Sequence, residues 1–114
     1  MQIPLQIAFK NMDSSPALAS LIEEKARKLE RFSDRITSCR VVVEAPHRHH
    51  RIGKLYEVSI EITVPPKGEV VVNREHRHDP AHEDVRVAIR DAFDAAVRQL
   101  EDHERKVRGD TKTS

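Results

Sequence analysis

Six of the seven histidines in this sequence fall between positions 47 and 82, interleaved with arginine. One cluster reads His47, Arg48, His49, His50, Arg51; a second reads Arg74, Glu75, His76, Arg77, His78, Asp79, with His82 close behind. Imidazoles at this density support two kinds of chemistry. Either triplet, His47, His49 and His50 or His76, His78 and His82, supplies three nitrogen ligands for a divalent cation, with Asp79 or Glu83 as a carboxylate partner. The arginines between them oppose that use, because like charge repels a cation, and the spacing matches no zinc signature with cysteines. The same arginines, joined by Lys54, suit a polyanion instead. Solvated loop histidines with no specific role are the remaining reading.

Covalent or cofactor chemistry has little to stand on. Three glycines leave no phosphate-cradling loop, neither GxGxxG nor GxxxxGK[ST] occurs, and no nucleophile-elbow context holds a serine. The chain is therefore expected to be no enzyme and to need no cofactor. The one cysteine, Cys39, lies in the apolar run Cys39-Arg40-Val41-Val42-Val43 and reads as a small buried strand residue. Aromatic residues are also few, namely Phe9, Phe32, Phe93 and Tyr56. Most fall on expected core faces, so shape and phosphate contacts would have to carry any RNA binding.

The elements that must position these residues can be read from hydrophobic period. Ile3, Leu5, Ile7 and Phe9 alternate with polar or small neighbours and predict a first strand, with Pro4 near its start. Ser15 and Pro16 predict a helix start, and Leu18, Ile22, Ala26, Leu29 and Phe32 carry one apolar face to about Ser33. Arg27, Arg31 and Arg35 follow at spacings of four on the other side, beside Lys28, while Lys25 falls near the apolar face where its stem can pack. Residues 36–45 predict a second strand stopped by Pro46, residues 55–64 a third, and residues 69–73 a fourth after the turn Pro65-Pro66-Lys67-Gly68. Asp79-Pro80 or Asp84 starts a last helix. Its stripe runs Val85, Ala88, Ile89, Ala92, Phe93, Ala96, Leu100, His103 and Val107, and Gly109 ends the pattern. On its polar side charges of both signs sit four apart, as in Arg90–Asp94 and Asp102–Lys106, which reads as a solvent-facing helix.

The order β-α-β-β-β-α predicts an α+β two-layer sandwich, a four-stranded sheet with two helices on one face. With 114 residues, the expected division is one domain over 1–108 and a polar tail over 109–114. If the first two strands are parallel and the last three antiparallel, both histidine clusters and both helix N-termini collect at one end. Arg48, Arg51, Lys54, Arg74 and Arg77 would make that end an anion-seeking pole. The net charge of +1 conceals it. The N-terminal Met1-Gln2-Ile3-Pro4 shows no leader and no apolar run approaches a span of about 18 residues, so a cytoplasmic, non-membrane protein is expected.

Two stretches carry a family resemblance. The run from Lys25 through Leu29-Glu30-Arg31-Phe32-Ser33-Asp34-Arg35 to Ile36 resembles the first-helix exit of the ribosome hibernation-promoting factors, also called ribosome-associated inhibitors or sigma-54 modulation proteins. Asp84-Val85-Arg86-Val87-Ala88-Ile89, continuing to Arg98-Gln99-Leu100 and Lys106, is similar to that family's last helix. The resemblance implies a fold like a double-stranded-RNA-binding domain and docking in the decoding region of the small ribosomal subunit. The partner would be small-subunit rRNA, and translation would be silenced by occupancy under stress or in stationary phase. By position it carries over Lys25, Lys28, Arg98 and Lys106 as RNA contacts; Arg27, Arg31 and Arg35 join them from the helix pattern. Asp102 and Glu104 depart from the family, standing where lysines are expected, and Arg90 follows Ala-Ile where aspartate is usual. The chain stops near residue 114, so the dimerisation tail of the long forms is not expected. A histidine-based metal- or pH-responsive module on this scaffold is the alternative, and the family's sigma-factor name adds a third, a regulatory protein-interaction domain.

Overall fold

In a computed structural model, which describes residues 4–46, 55–65, 68–72 and 80–113, the chain forms six main elements. They are β1 (Leu5–Lys10), α1 (Pro16–Lys28), β2 (Ser38–Glu44), β3 (Glu57–Val64), β4 (Gly68–Val72) and α2 (Val85–Thr113). Single 3-10 turns at Leu29–Arg31 and Pro80–Glu83 follow α1 and precede α2. The strands lie in sequence order, with β1 and β2 parallel and β2–β3 and β3–β4 antiparallel. This is the α+β sandwich expected from the hydrophobic periods.

Register explains why one face of the sheet is the core. Leu5, Ile7 and Phe9 stand beside Cys39, Val41 and Val43, which oppose Ile62, Ile60 and Val58. Val70 and Val72 extend two of these rows. Because side chains alternate along a strand, these residues all point to the same side. The β2 and β3 members are essentially sealed from solvent. The opposite face carries exposed Gln6, Arg40 and Glu61 in one cross-strand row, with Val71 48% exposed beside them. Cys39 fits its expected role: burial pushes its thiol up to about 11, which removes thiolate reactivity at neutral pH.

Both helices cover the apolar face, α1 beside β1 and α2 over β3 and β4. The hydroxyl of Ser15 accepts the Leu18 N–H at 3.2 Å, capping α1 as its sequence promised. The helix does not continue to Ser33. It tightens after Lys28: the Phe32 N–H donates to the Leu29 carbonyl at 2.9 Å, and the buried Ser33 accepts the Arg35 N–H at 3.2 Å. Asp84, the second of the two candidate starts, caps α2, its carboxylate accepting the Arg86 N–H at 2.9 Å. From there α2 runs straight through Gly109 to Thr113, past the expected stop. A helical glycine costs only about 1 kcal/mol relative to alanine. Ala88, Ile89, Ala92, Phe93, Ala96 and Leu100 form its buried stripe. Gly68 opens β4 at φ +95°, a conformation that suits glycine at the end of the β3–β4 turn.

Ile60 sits at the centre of the core with no exposed surface. Ile60→Ala is expected to lower unfolding free energy by about 2–5 kcal/mol in urea titration. A loss under ~1 kcal/mol would mean the β3 row is not the centre of packing.

Candidate nucleic-acid interface

Two helices lying side by side on one sheet face leave a furrow on their outer side, and here it is lined unevenly. Its floor is apolar, made by Leu29 and Phe32 from the exit of α1 and by Phe93 and Val97 from α2. Its rim carries Lys25, Lys28 and Arg31 on the α1 side and Asp94 on the α2 side. The space enclosed is about 170 Å³. Three cations against one carboxylate make this edge locally positive on a chain whose net charge is only +1. Lys25 is half-buried, its stem on the apolar wall as its position near the core face led one to expect. Lys28 is exposed and shares a salt bridge of 3.7 Å with Glu24, a solvated pair that leaves its charge available.

The row Arg27, Arg31, Arg35 does not survive as a row. It assumed a helix running to Ser33, but the 3-10 turn changes the angular step after Lys28 and Arg35 lies outside any helix. Arg31 turns onto the groove while Arg27 stays on the solvent side of α1. Arg35 meets Glu104 of α2 at 3.5 Å, so one of the two acidic departures on the last helix holds a cation that was expected to face RNA. The other, Asp102, pairs with Arg105 at 2.7 Å. Arg98 is exposed one residue beyond Val97 but does not line the groove. Lys106 is exposed too, but nine residues past Val97 it points about 180° away around the helix and does not join the groove. His103 is mostly buried on the apolar stripe, its Nδ1 3.7 Å from a carboxylate oxygen of Glu104, and among the described residues neither ring nitrogen has a hydrogen-bond partner.

The end of the sheet that was expected to gather the histidine clusters is built as the topology required. The Ala45 N–H donates to the Lys10 carbonyl at 3.0 Å, and the Tyr56 N–H donates to the His82 carbonyl at 2.9 Å, drawing the starts of β3 and α2 together with the ends of β1 and β2. The clusters themselves, with Arg48, Arg51, Lys54, Arg74, Arg77, His76 and His78, lie outside the described residues. His82 is described, and it is no solvated loop residue: it is 2% exposed, and its Nε2 donates to Asp91 at 2.8 Å. Among the described residues no three His, Cys, Asp or Glu side chains converge as a metal site. The α2 N-terminus also differs from the sequence picture, because Asp84 already places an anion on it.

The architecture and the groove thus define a small α+β domain that, among the described residues, gathers basic side chains along the seam between its two helices. A family profile described as "Sigma 54 modulation protein / S30EA ribosomal protein" matches residues 5–108, and the chain belongs to that family. It is 37% identical over 103 residues to the "Ribosome hibernation promoting factor" of Azotobacter vinelandii, covering 90% of this chain and 83% of that protein. It is 30% identical over 100 residues to the "Ribosome hibernation promotion factor" of Deinococcus radiodurans, of whose length it spans 48%. The fold matches the crystal structure of the Thermus thermophilus Protein Y N-terminal domain with a TM-score of 0.63 at 22% identity, over 90% of this chain and 99% of that one. It also matches a ribosomal subunit interface protein from Coxiella burnetii with a TM-score of 0.61 at 17% identity, over 94% and 99%.

The buried contact has a pH signature. The hydrogen bond from His82 holds the Asp91 carboxyl below the usual carboxylate range, with Arg90 adding a smaller pull. A carboxylate whose folded pKa is depressed stabilises the fold above its unfolded pKa of about 3.9 and loses that contribution as pH falls through the folded value. The stability gap between the wild type and Asp91→Asn is therefore expected to narrow as pH drops from about 5 toward 2. Urea midpoints across that range measure it; a gap that stays constant would remove the linkage.

Proposed function

We propose that this chain is a non-enzymatic, cytoplasmic ribosome-associated factor that binds small-subunit rRNA in the decoding region and inhibits translation under stress or in stationary phase. The observation that carries this reading is the family match over residues 5–108, which takes in both walls of the cationic groove. The names of the two relatives supply the ribosome and the hibernation role. The geometry supplies a means: Lys25, Lys28 and Arg31 gather on one edge, close enough together to follow a phosphate backbone. Inhibition then follows from occupying the site where the message would lie, with no bond made or broken. No helix among the described residues is long and apolar enough to cross a membrane.

The groove cations are the primary contacts in this reading, with the exposed Arg98 of α2 as a further one. Arg27 extends the surface along α1. Arg48, Arg51, Lys54, Arg74 and Arg77, outside the described residues, are proposed as further contacts on the strength of their charge, and Lys106 as a peripheral one. Arg35 contributes less, because Glu104 holds it.

Co-sedimentation with small ribosomal subunits tests the reading. Binding is expected at low salt, with log K falling linearly against log salt. Replacing Lys25, Lys28 and Arg31 together by alanine should shallow that slope by roughly 2–3, at about 0.7–0.9 for each phosphate no longer neutralised. Failure of the wild type to associate at low salt would end the proposal. Glu104→Gln should free Arg35 and tighten binding at low salt while changing stability by less than about 1 kcal/mol, as expected for a partly solvated pair. Weaker binding in that variant would instead make Glu104 a positioning residue for Arg35.

A further inference from the structure

Phosphate contacts alone do not explain the groove. A surface that only tracks a backbone needs cations and no apolar floor, yet Leu29, Phe32, Phe93 and Val97 line this one. Leu29 and Phe93 are buried in the core. Phe32 packs against that core and stays partly exposed. The early end of α1 places it on the loop side of the 3-10 turn, where it is only half-buried. A partly exposed aromatic ring beside three cations is what an unstacked base requires, because every base has a face that stacks and a phosphate that follows it.

We propose that the groove is a subsite for one unstacked, single-stranded nucleotide: the base enters against Phe32 and Val97 while its phosphate rests on Lys25, Lys28 and Arg31. This rests on the RNA-binding reading and goes beyond it, from backbone recognition to capture of a base. Size agrees. At about 170 Å³ the groove lies below the roughly 300–1,000 Å³ of pockets that enclose whole small molecules, so a ring system fits while sugar and phosphate stay outside on the rim. Charge agrees as well, with the cations on one lip and Asp94 alone on the other. A carboxylate there accepts hydrogen bonds only, so it favours a base that presents an amino group and repels a second phosphate. An apolar, acidic peptide is the competing occupant. Its carboxylates would face Asp94 on one wall, whereas a base meets that wall with donors.

Titration of the full ¹⁵N- and methyl-labelled chain with adenosine monophosphate and, separately, ribose 5-phosphate reads this directly by NMR. Adenosine monophosphate is expected to shift resonances of Phe32, Phe93 and Val97 saturably. Ribose 5-phosphate should move only the amides around Lys25, Lys28 and Arg31. Phe32→Leu is expected to weaken adenosine monophosphate binding by roughly 5- to 150-fold, the range that base–aromatic stacking produces. Asp94→Asn should narrow the preference for that base over uridine monophosphate. Equal shifts from both probes, no shift in the groove from either, or groove shifts from an acidic apolar peptide but not from the nucleotide would each overturn the subsite. The wild-type comparison of the two probes requires no variant to fold. Small-subunit binding separates the two claims: if the wild type co-sediments while the nucleotide leaves the groove unmoved, the subsite fails and the RNA reading stands. If the wild type does not co-sediment, the RNA reading fails.

Discussion

The inward row of β3, Val58, Ile60, Ile62 and Val64, is the packing contact on which the rest of the structure depends. Every member is at most 1% exposed, while Glu57 and Glu61 on the strand's other side face solvent. A central strand that is apolar on one side only commits the sheet to one buried face. At about 25 cal/mol for each Å² of apolar surface removed from water, burying four such side chains outweighs any local propensity in the neighbouring segments. Both helices must then share that face, and because α1 takes the β1 side and α2 the β3–β4 side, they lie next to each other with their seam outward. The groove is a consequence of that constraint. It exists because two cylinders on one sheet cannot close the space above their contact line.

What fills the rim is a matter of charge placement along two helices of unequal length. At 13 residues α1 ends early and tightens, which brings Arg31 onto the groove and leaves Phe32 partly exposed there. At 29 residues, about 43 Å, α2 runs on past it, and further along the helix Glu104 meets Arg35. Among the described residues, Lys25, Lys28 and Arg31 thus gather beside Phe93 and Val97, while Arg35 is paired further along α2. At the other end of α2, Asp84 and the His82–Asp91 contact anchor the start of the helix to β3. A histidine in a sequence rich in histidines turns out to be a structural pin in the turn before α2, away from the proposed groove.

Much of this was legible in the residues, and the reasons for the rest are specific. Strict alternation in β3 and the β-branched run of β2 announce half-buried strands, and Ser15-Pro16 announces the start of α1, because each is a local signal with a local cause. The early end of α1 was not legible: Leu29 and Phe32 are three apart, a spacing that suits an α-helix and a 3-10 turn equally. Lys25, Lys28, Arg98 and Lys106 could be named as cations, but only the packing of α2 decides that Lys25 and Lys28 converge on the groove while Lys106 turns away. The Arg35–Glu104 and His82–Asp91 pairs join residues from different elements with no periodic relation, so no window of sequence reveals them. The family resemblance read from the first-helix exit and the last helix did find the chain's relatives.

The central claim is that the seam between α1 and α2, and not the outer face of the sheet, meets the ribosome. Lysine acylation followed by mass spectrometry, on the free chain and on its complex with small ribosomal subunits, tests it most directly. Lys25 and Lys28 border the groove, whereas Lys10 is exposed at the end of β1, on the side of the sheet that no helix covers. Strong protection of Lys25 and Lys28 in the complex, with Lys10 still reactive, is the expected result. Protection of Lys10 while Lys25 and Lys28 remain reactive would contradict it.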